Sequence, residues 1–147
     1  MPFETPVPLR VFIADDSVPV VEMLTQFLAR PGAIEVVGVG ATEREALDSI
    51  EGLKPDVMLV DLELGEGSGA NVIRAVRARP EWRELNLFVT SSHDSQPLRA
   101  GVIALGADGY YDKVKELLAL SEKLEELSAR KAGGATAPRC RPARPPR

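Results

Sequence analysis

Acidic, hydroxyl and lysine side chains follow four separate apolar stretches of this 147-residue sequence. These residues are Asp15-Asp16, Asp61, Thr90-Ser91 and Asp112-Lys113. Carboxylates that lie close together raise one another's pKa values unless a cation intervenes. Oxygen ligands without histidine or cysteine favour Mg²⁺, which binds one or two carboxylates together with waters and phosphate oxygens. The sequence therefore predicts a Mg²⁺ site if the fold brings these carboxylates together.

Short apolar stretches alternate with helical patterns along the chain. Strands are predicted over 9–14, 34–39, 56–60, 86–90 and 107–111. Residues 57–60 are all apolar, which is typical of a strand covered on both faces. Apolar residues with helical spacing follow each strand, and the last of these helices is predicted over 115–129.

Five β-α repeats predict an α/β fold with a doubly wound, five-stranded parallel sheet and five helices. The natural strand order is 2-1-3-4-5, as in flavodoxin-like proteins. Ligands bind such sheets beyond the carboxyl ends of the strands, between the first and third strands. The polar residues named above all fall at that edge, so they are expected to converge there.

Each of these residues also has an ordinary structural explanation. Asp16 or Ser17 could cap the helix that follows the first strand. Lys113 could be a solvated charge, and Ser91 a turn residue. The combination favours a functional site, because each member ends a different strand at the same edge.

The composition, 44% hydrophobic and 27% charged, is that of a globular protein. No apolar stretch is long enough to span a membrane, and the N-terminus does not resemble a secretory signal. The single cysteine, Cys140, excludes a disulfide framework and a thiolate metal cluster. A cytoplasmic location is expected.

The net charge of −4 is unevenly distributed. Residues 130–147 hold six of the 18 basic residues and none of the 22 acidic ones, which leaves −10 on the remainder. An acidic body argues against direct DNA binding. Prolines and a Gly-Gly pair predict a disordered basic tail over 130–147, after a folded domain over 8–129 and an N-terminal extension over 1–7.

Four stretches of the sequence resemble the receiver domain of bacterial two-component response regulators, and the resemblance extends over residues 8–128. They are 11–17, 55–62, 90–94 and 105–113. The resemblance implies a stand-alone receiver, similar to those of chemotaxis, with Asp61 as the phosphoacceptor. It implies that Asp16 binds Mg²⁺ directly, Asp15 mainly through water and Glu63 through its backbone carbonyl, while Lys113 binds the phosphoryl oxygens.

The resemblance also assigns the hydroxyl and aromatic residues of the switch. The family spacing, 30 residues after Asp61 and 22 before Lys113, selects Ser91 rather than Thr90. Tyr110 is expected to be the aromatic switch residue, turning from exposed to buried on phosphorylation, although Tyr111 competes for this role. The residues at positions that tune the phosphoryl lifetime in the family are Glu63 and His93.

The chain departs from the family pattern at two positions. Val114 follows the lysine where the family usually has proline, and Gly65 replaces a frequent proline four residues after the phosphoacceptor. Glycines at 65, 67 and 69 predict a flexible loop beside the site.

The resemblance implies a signalling switch that takes its phosphoryl group from a histidine kinase or phosphotransfer protein. It would catalyse only its own phosphorylation and dephosphorylation, and it contains no Walker-type ATP motif. Output is expected through contact of the fourth helix, fifth strand and fifth helix with a target protein. The chain would act as a monomer or as a phosphorylation-dependent homodimer, without a membrane.

Two alternatives remain at this point. The chain could be the receiver part of a truncated multidomain regulator, with the tail as a linker. It could also be an aspartate-nucleophile phosphatase of the dehalogenase-like class. That class requires Asp-x-Asp after its first strand, whereas here Asp15 and Asp16 are adjacent and Asp61 follows the third.

Overall fold

A computed structural model describes residues 7–92 and 95–134. The strands are β1 (Leu9–Ala14), β2 (Ile34–Gly40), β3 (Val57–Asp61), β4 (Asn86–Ser91) and β5 (Gly109–Asp112). The helices are α1 (Val18–Leu28), α2 (Glu43–Leu53), α3 (Gly69–Arg77), α4 (Gln96–Leu105) and α5 (Leu117–Gly134). All strand pairs are parallel, in the order β2-β1-β3-β4-β5, which confirms the predicted fold class and strand order.

The alternation of side chains along the strands divides the core into two halves. Phe12 and Met58 point to the face covered by α2, α3 and α4, where they pack with Ile50, Ile73 and Val102. The neighbouring positions Val11, Ile13, Val57 and Leu59 point to the opposite face, covered by α1 and α5. Both faces of the central strands are therefore buried, as their continuous apolar sequences indicate.

Serine and threonine hydroxyls cap four of the helices. The capping residues are Ser17 for α1, Thr42 for α2, Ser68 for α3 and Ser95 for α4. Each oxygen accepts a backbone N–H of the first turn, which would otherwise lack a partner. At the other end of α4, Gly106 has φ = 121° and terminates the helix where the sequence predicts.

Four strands end one residue later than predicted: β2 at Gly40, β3 at Asp61, β4 at Ser91 and β5 at Asp112. β3 also begins one residue later, at Val57. β5 begins at Gly109 rather than at 107, because the Asp108 N–H donates to the Leu87 carbonyl (2.7 Å) and its carboxylate accepts the Leu87 N–H (2.8 Å). Asp108 thus ties the loop to β4 before β5 begins.

The last helix extends beyond residue 129, where the sequence predicts its end, because α5 continues to Gly134. Lys131 anchors the added turn by donating to the Pro8 carbonyl (3.1 Å) and to Asp56 Oδ2 (2.6 Å). From its composition, the sequence assigns Lys131 to the basic tail. In the structure Lys131 instead pairs with Asp56, the residue before β3. Residues 1–6, most of the N-terminal extension, and 135–147, the rest of the predicted tail, lie outside the described residues.

Across the part of the chain that the structure describes, no helix combines the length and apolar character required to cross a membrane.

Candidate functional site

The predicted site residues lie at the carboxyl edge of the sheet, where all five strands end. Asp15 directly follows β1, Asp61 is the last residue of β3, and Lys113 directly follows β5. Ser91, the last residue of β4, pairs in register with Asp112, and its carbonyl accepts the Lys113 N–H at 2.8 Å. The parallel sheet therefore brings together residues up to 98 positions apart in sequence.

Lys113 connects two of the carboxylates. Its Nζ lies 2.8 Å from Asp15 Oδ2 and donates to Asp61 Oδ2 at 3.1 Å. About a tenth of the Lys113 and Asp61 side chains is exposed, and none of the Asp15 side chain. Burial by itself lowers the pKa of Lys113, but the contact with Asp15 and the charges of Asp61 and Asp15 outweigh this effect and raise the pKa. The ammonium group is therefore held in its charged form.

The Asp61 carboxyl is buried beside another carboxylate, that of Asp15. Burial raises its pKa above the ordinary value, and the neighbouring charge of Asp15 adds to the rise. Lys113 and the Glu63 N–H, which donates to Asp61 Oδ1 at 3.2 Å, oppose the increase without cancelling it. An ionised Asp61 is thus a costly group in this fold, as expected of a carboxylate kept for chemistry.

The three carboxylates fit a hard divalent cation. Ligand oxygens of Asp15, Asp16 and Asp61 all lie within 4.8 Å of one another. Asp15 Oδ2 is fully buried and accepts no aligned hydrogen bond from the described residues, although Lys113 lies near it. Ser17, not Asp16, caps α1, so the exposed Asp16 carboxylate is not used by the helix. This all-oxygen donor set is the chemistry that Mg²⁺ prefers.

Ser91 and Tyr110 share one face of the sheet. Val89 belongs to the core half under α2, α3 and α4, so Ser91, two residues later on β4, points to the same face. Tyr110 packs in this half and is 5% exposed, whereas Tyr111 packs in the other half, edge-on to Phe88 at 5.7 Å. The structure thus separates the two tyrosines, and it holds Tyr110 in the buried position.

The loop between β3 and α3 is fastened to the start of α2. The Gly65 N–H donates to the Ala41 carbonyl (3.0 Å), and the Glu43 N–H donates to the Glu66 carbonyl (2.9 Å). Gly67 has φ = 95°, and a Cβ at that position would collide with the Glu43 side chain. Gly67 thus permits a close approach of this loop to α2, a role that the prediction of flexibility does not include.

The remaining predicted residues are distributed as follows. Glu63 is exposed beside the site and forms an antiparallel bridge with Ser68. The Lys113–Val114 peptide bond is trans. His93 lies outside the described residues, so its predicted position is not tested.

Sequence reasoning missed Arg99 on α4, which contacts both Tyr110 and Glu116. The Arg99 guanidinium lies 4.6 Å from the centre of the Tyr110 ring and 2.7 Å from Glu116 Oε1. The spacing of Asp112 and Glu116, four residues apart where α5 begins, is a weak signal of a polar cluster. No sequence pattern indicates that Arg99 joins it.

Comparison with known proteins agrees with this geometry. The family model of the response regulator receiver domain matches residues 11–125. A protein-glutamate methylesterase/protein-glutamine glutaminase of Koribacter versatilis is 34% identical over 90% of this chain and 37% of its own length. The transcriptional regulatory protein YhcZ of Bacillus subtilis is 36% identical over 74% of this chain and 50% of its own. The chain thus spans about a third to a half of the length of these relatives.

Solved receiver domains share the fold. The signal receiver domain of NarL from Mycobacterium tuberculosis superposes with a TM-score of 0.73 at 27% identity, covering 84% of this chain and 98% of that one. The receiver domain of a DNA-binding response regulator from Colwellia psychrerythraea gives 0.75 at 22% identity, covering 82% and 98%. With a family model that spans most of the sequence and a matching acidic edge, the chain belongs to the receiver-domain family of two-component response regulators.

Proposed function

We propose that this chain is a phosphorylation-dependent switch that accepts a phosphoryl group on Asp61 from a phosphohistidine of a histidine kinase or phosphotransfer protein. The observation that carries the proposal is the position of Asp61, beside the Lys113 ammonium and within one cluster with Asp15 and Asp16. Phosphoryl transfer depends more on positioning and charge neutralisation than on acid–base catalysis. The strand ends would supply the positioning, and Lys113 together with a bound Mg²⁺ would supply the charge neutralisation.

In the proposed reaction, an Asp61 carboxylate oxygen attacks phosphorus. The new P–O bond forms as the P–N bond of the phosphohistidine breaks, and the leaving imidazole takes up a proton. Asp15, Asp16 and the Glu63 backbone carbonyl would hold Mg²⁺, which neutralises phosphoryl charge when bound. Lys113 donates to Asp61 Oδ2, so in the phosphorylated protein its ammonium group would leave this oxygen and bind a phosphoryl oxygen. The contact of Lys113 with Asp15 would keep the side chain in place during this change.

Ser91 and Tyr110 would convert phosphorylation into a change of surface. The Ser91 hydroxyl would donate to a phosphoryl oxygen and draw the loop after β4 towards the site. Tyr110, on the same face of the sheet, would follow by filling the space released. A tenfold shift between two states requires about 1.4 kcal/mol, which one or two charge-assisted hydrogen bonds can supply. Glu63 and His93 are proposed to tune the lifetime of the phosphoryl group.

The output surface is proposed to be the face of α4, β5 and α5. Apolar side chains are exposed on α4, on the turn before α5 and on the first turn of α5, which favours protein contact. They are Leu98, Ile103, Val114 and Leu118. Target binding and phosphorylation-dependent dimerisation would both use this face. The enzymatic activity named for the methylesterase relatives lies outside this proposal, in which the chain catalyses only its own phosphorylation and dephosphorylation.

The test uses acetyl phosphate as phosphodonor with Mg²⁺ and intact-mass measurement. We expect the protein to gain the mass of one phosphoryl group, and Asp61→Asn to gain none. Asp56→Asn is the matched control, since Asp56 lies at the opposite edge of the sheet, and it should react as the wild type does. A wild-type protein that gains no mass, or an Asp61→Asn variant that still gains it, would overturn the proposal.

Thermal unfolding gives a separate test of the Mg²⁺ site. Binding to the folded state alone should stabilise it by about 1.4 kcal/mol at ten times the dissociation constant. Asp16→Asn should reduce this response. A melting temperature that does not depend on millimolar Mg²⁺ would contradict the assignment of the cation site.

A further inference from the structure

Arg99 fastens α4 to the backbone and ring of the buried tyrosine. Its guanidinium stacks on the Tyr110 ring, 4.6 Å from the ring centre, and donates to the Tyr110 carbonyl at 3.2 Å. A guanidinium at this distance is attracted to an aromatic face and also shields it from water. The 5% exposure of Tyr110 thus depends in part on a side chain from another element.

Glu116 extends this contact to the residues around Lys113. Glu116 Oε1 lies 2.7 Å from Arg99 and accepts the Asp112 N–H at 2.9 Å. The Asp112 N–H and the Arg99 charge lower the pKa of Glu116, so the pair stays ionised near neutral pH. Because Asp112 and Glu116 lie on either side of Lys113 in sequence, the cluster links α4 to the turn that positions the site lysine.

From this geometry we propose that Arg99 is a positioning residue that latches Tyr110 in its buried position and so sets the balance of the switch before phosphorylation. The proposal rests on the switch described above. Turning the Tyr110 ring outward requires the loss of the ring stacking, while the hydrogen bond to the Tyr110 backbone carbonyl keeps the guanidinium beside the buried position of the ring, so the latch favours the buried state. When Tyr110 is already mostly buried, phosphorylation can bury only the small fraction of molecules in which it is still exposed. Removing the latch should therefore increase the response of Tyr110 to phosphorylation.

The chain contains a built-in pair of reporters, because Tyr110 and Tyr111 are its two tyrosines. They pack on opposite faces of β5, and only Tyr110 contacts Arg99 among the described contacts. The experiment labels the protein with 3-fluorotyrosine and records the two ¹⁹F signals and their solvent isotope shifts. A Tyr111→Phe variant assigns the signals.

The variants separate the latch from general stability. Arg99→Ala should raise the exposed-to-buried ratio of Tyr110 by about tenfold and leave Tyr111 unchanged. Glu116→Gln keeps an oxygen that can accept the Asp112 N–H but removes the charge, so it should shift Tyr110 in the same direction by less. Arg44→Ala removes an exposed arginine that pairs with Asp48 on α2, and it should change neither signal. Fluorescence of Trp82 checks that each variant is folded.

In the second part of the experiment, the same ¹⁹F signals are recorded after adding beryllofluoride, which mimics the acyl phosphate. Beryllofluoride should bury Tyr110 again in Arg99→Ala, while the wild-type signal changes little. A Tyr110 that stays as protected in both Arg99→Ala and Glu116→Gln as in the wild type would overturn the latch, as would an equal shift of Tyr110 and Tyr111. If no adduct forms on Asp61, the proposed switch fails, whereas the signals without beryllofluoride still decide whether Arg99 holds Tyr110.

Discussion

The two edges of the sheet use the same residue types for opposite purposes. At the amino edge, where the strands begin, Asp56 accepts the Arg10 N–H (2.8 Å) and pairs with Lys131. Asp108 accepts the Leu87 N–H and pairs with Arg77, both at 2.8 Å. Each carboxylate there has a backbone donor and a cation of its own.

At the carboxyl edge, one lysine contacts two of the three clustered carboxylates. Lys113 contacts Asp15 and Asp61, while Asp16 is exposed and Asp15 Oδ2 accepts no aligned hydrogen bond from the described residues. Burial and the charge of Asp15 raise the pKa of Asp61. The comparison indicates that the amino edge stabilises the fold, whereas the carboxyl edge retains uncompensated negative charge, which the proposed cation site requires.

Removing the shared lysine should have the largest effect on stability. Lys113→Met leaves Asp15 and Asp61 buried without their cation, and we expect it to lower the free energy of unfolding by about 3 kcal/mol. Adding Asp61→Asn to Lys113→Met should recover more stability than Asp61→Asn adds to the wild type, because Asp61 then has no cation beside it. Urea unfolding of the single and double variants measures this coupling. Strictly additive changes in the free energy of unfolding would contradict the shared-lysine description.

Removing a carboxylate of the amino edge should lower the free energy of unfolding by a smaller amount than removing Lys113. Asp108→Ala removes the partner of Arg77 and leaves the Leu87 N–H without an acceptor, so the free energy of unfolding should fall by about 1–3 kcal/mol. Asp48→Ala, which removes an exposed carboxylate paired with Arg44, is the control and should change stability by less than about 0.5 kcal/mol. Equal effects of the two variants would show that the amino edge is not specially stabilising.

Neutralising Asp61, the proposed phosphoacceptor, should raise the stability of the domain instead of lowering it. Asp61→Asn removes a carboxylate whose ionisation is opposed by burial, so the metal-free protein should gain about 1 kcal/mol of stability at neutral pH. Thermal unfolding in the presence of a chelator measures the gain. A loss of stability would mean that the ion pair with Lys113 outweighs the cost of burial.

The pH dependence should distinguish two aspartates of the same edge. Because the pKa of Asp61 is raised above 3.8, the folded state binds its proton more tightly, and stability falls as pH rises from 3.8 through the folded pKa. Backbone N–H groups of Lys115 and Val114 lower the pKa of Asp112, so its contribution grows as pH rises towards 3.8. Relative to the wild type, Asp61→Asn and Asp112→Asn should therefore change the pH slope of stability in opposite directions.

Shortening α5 at its C-terminal end should have the smallest effect on stability. Truncation after Ala129 removes Lys131 and its pair with Asp56, in which both side chains are about 30% exposed, and should cost about 1 kcal/mol. Truncation after Gly134 keeps this pair and should leave the stability of the domain unchanged. If both truncated chains unfold at the same denaturant concentration, the contact of Lys131 contributes nothing.

The fold and the location of the site were largely predictable from the sequence. Alternating apolar stretches and helical patterns are local signals, and a parallel sheet allows few topologies. Since all strands end at one edge, polar residues after β1, β3, β4 and β5 had to meet there. The proximity of Asp15, Asp61 and Lys113 follows from that constraint alone.

The sequence by itself determined which residues gather at the carboxyl edge, whereas the tertiary structure decided which charges have partners. Lys131 and Asp56 are 75 positions apart, and Arg99 and Glu116 lie on different elements, so composition cannot pair them. The close approach of Gly67 to α2 likewise depends on how two loops pack. Local patterns report what a residue's own segment requires, but the partner of a charge or the neighbour of a glycine is set by distances between segments that exist only in the folded chain.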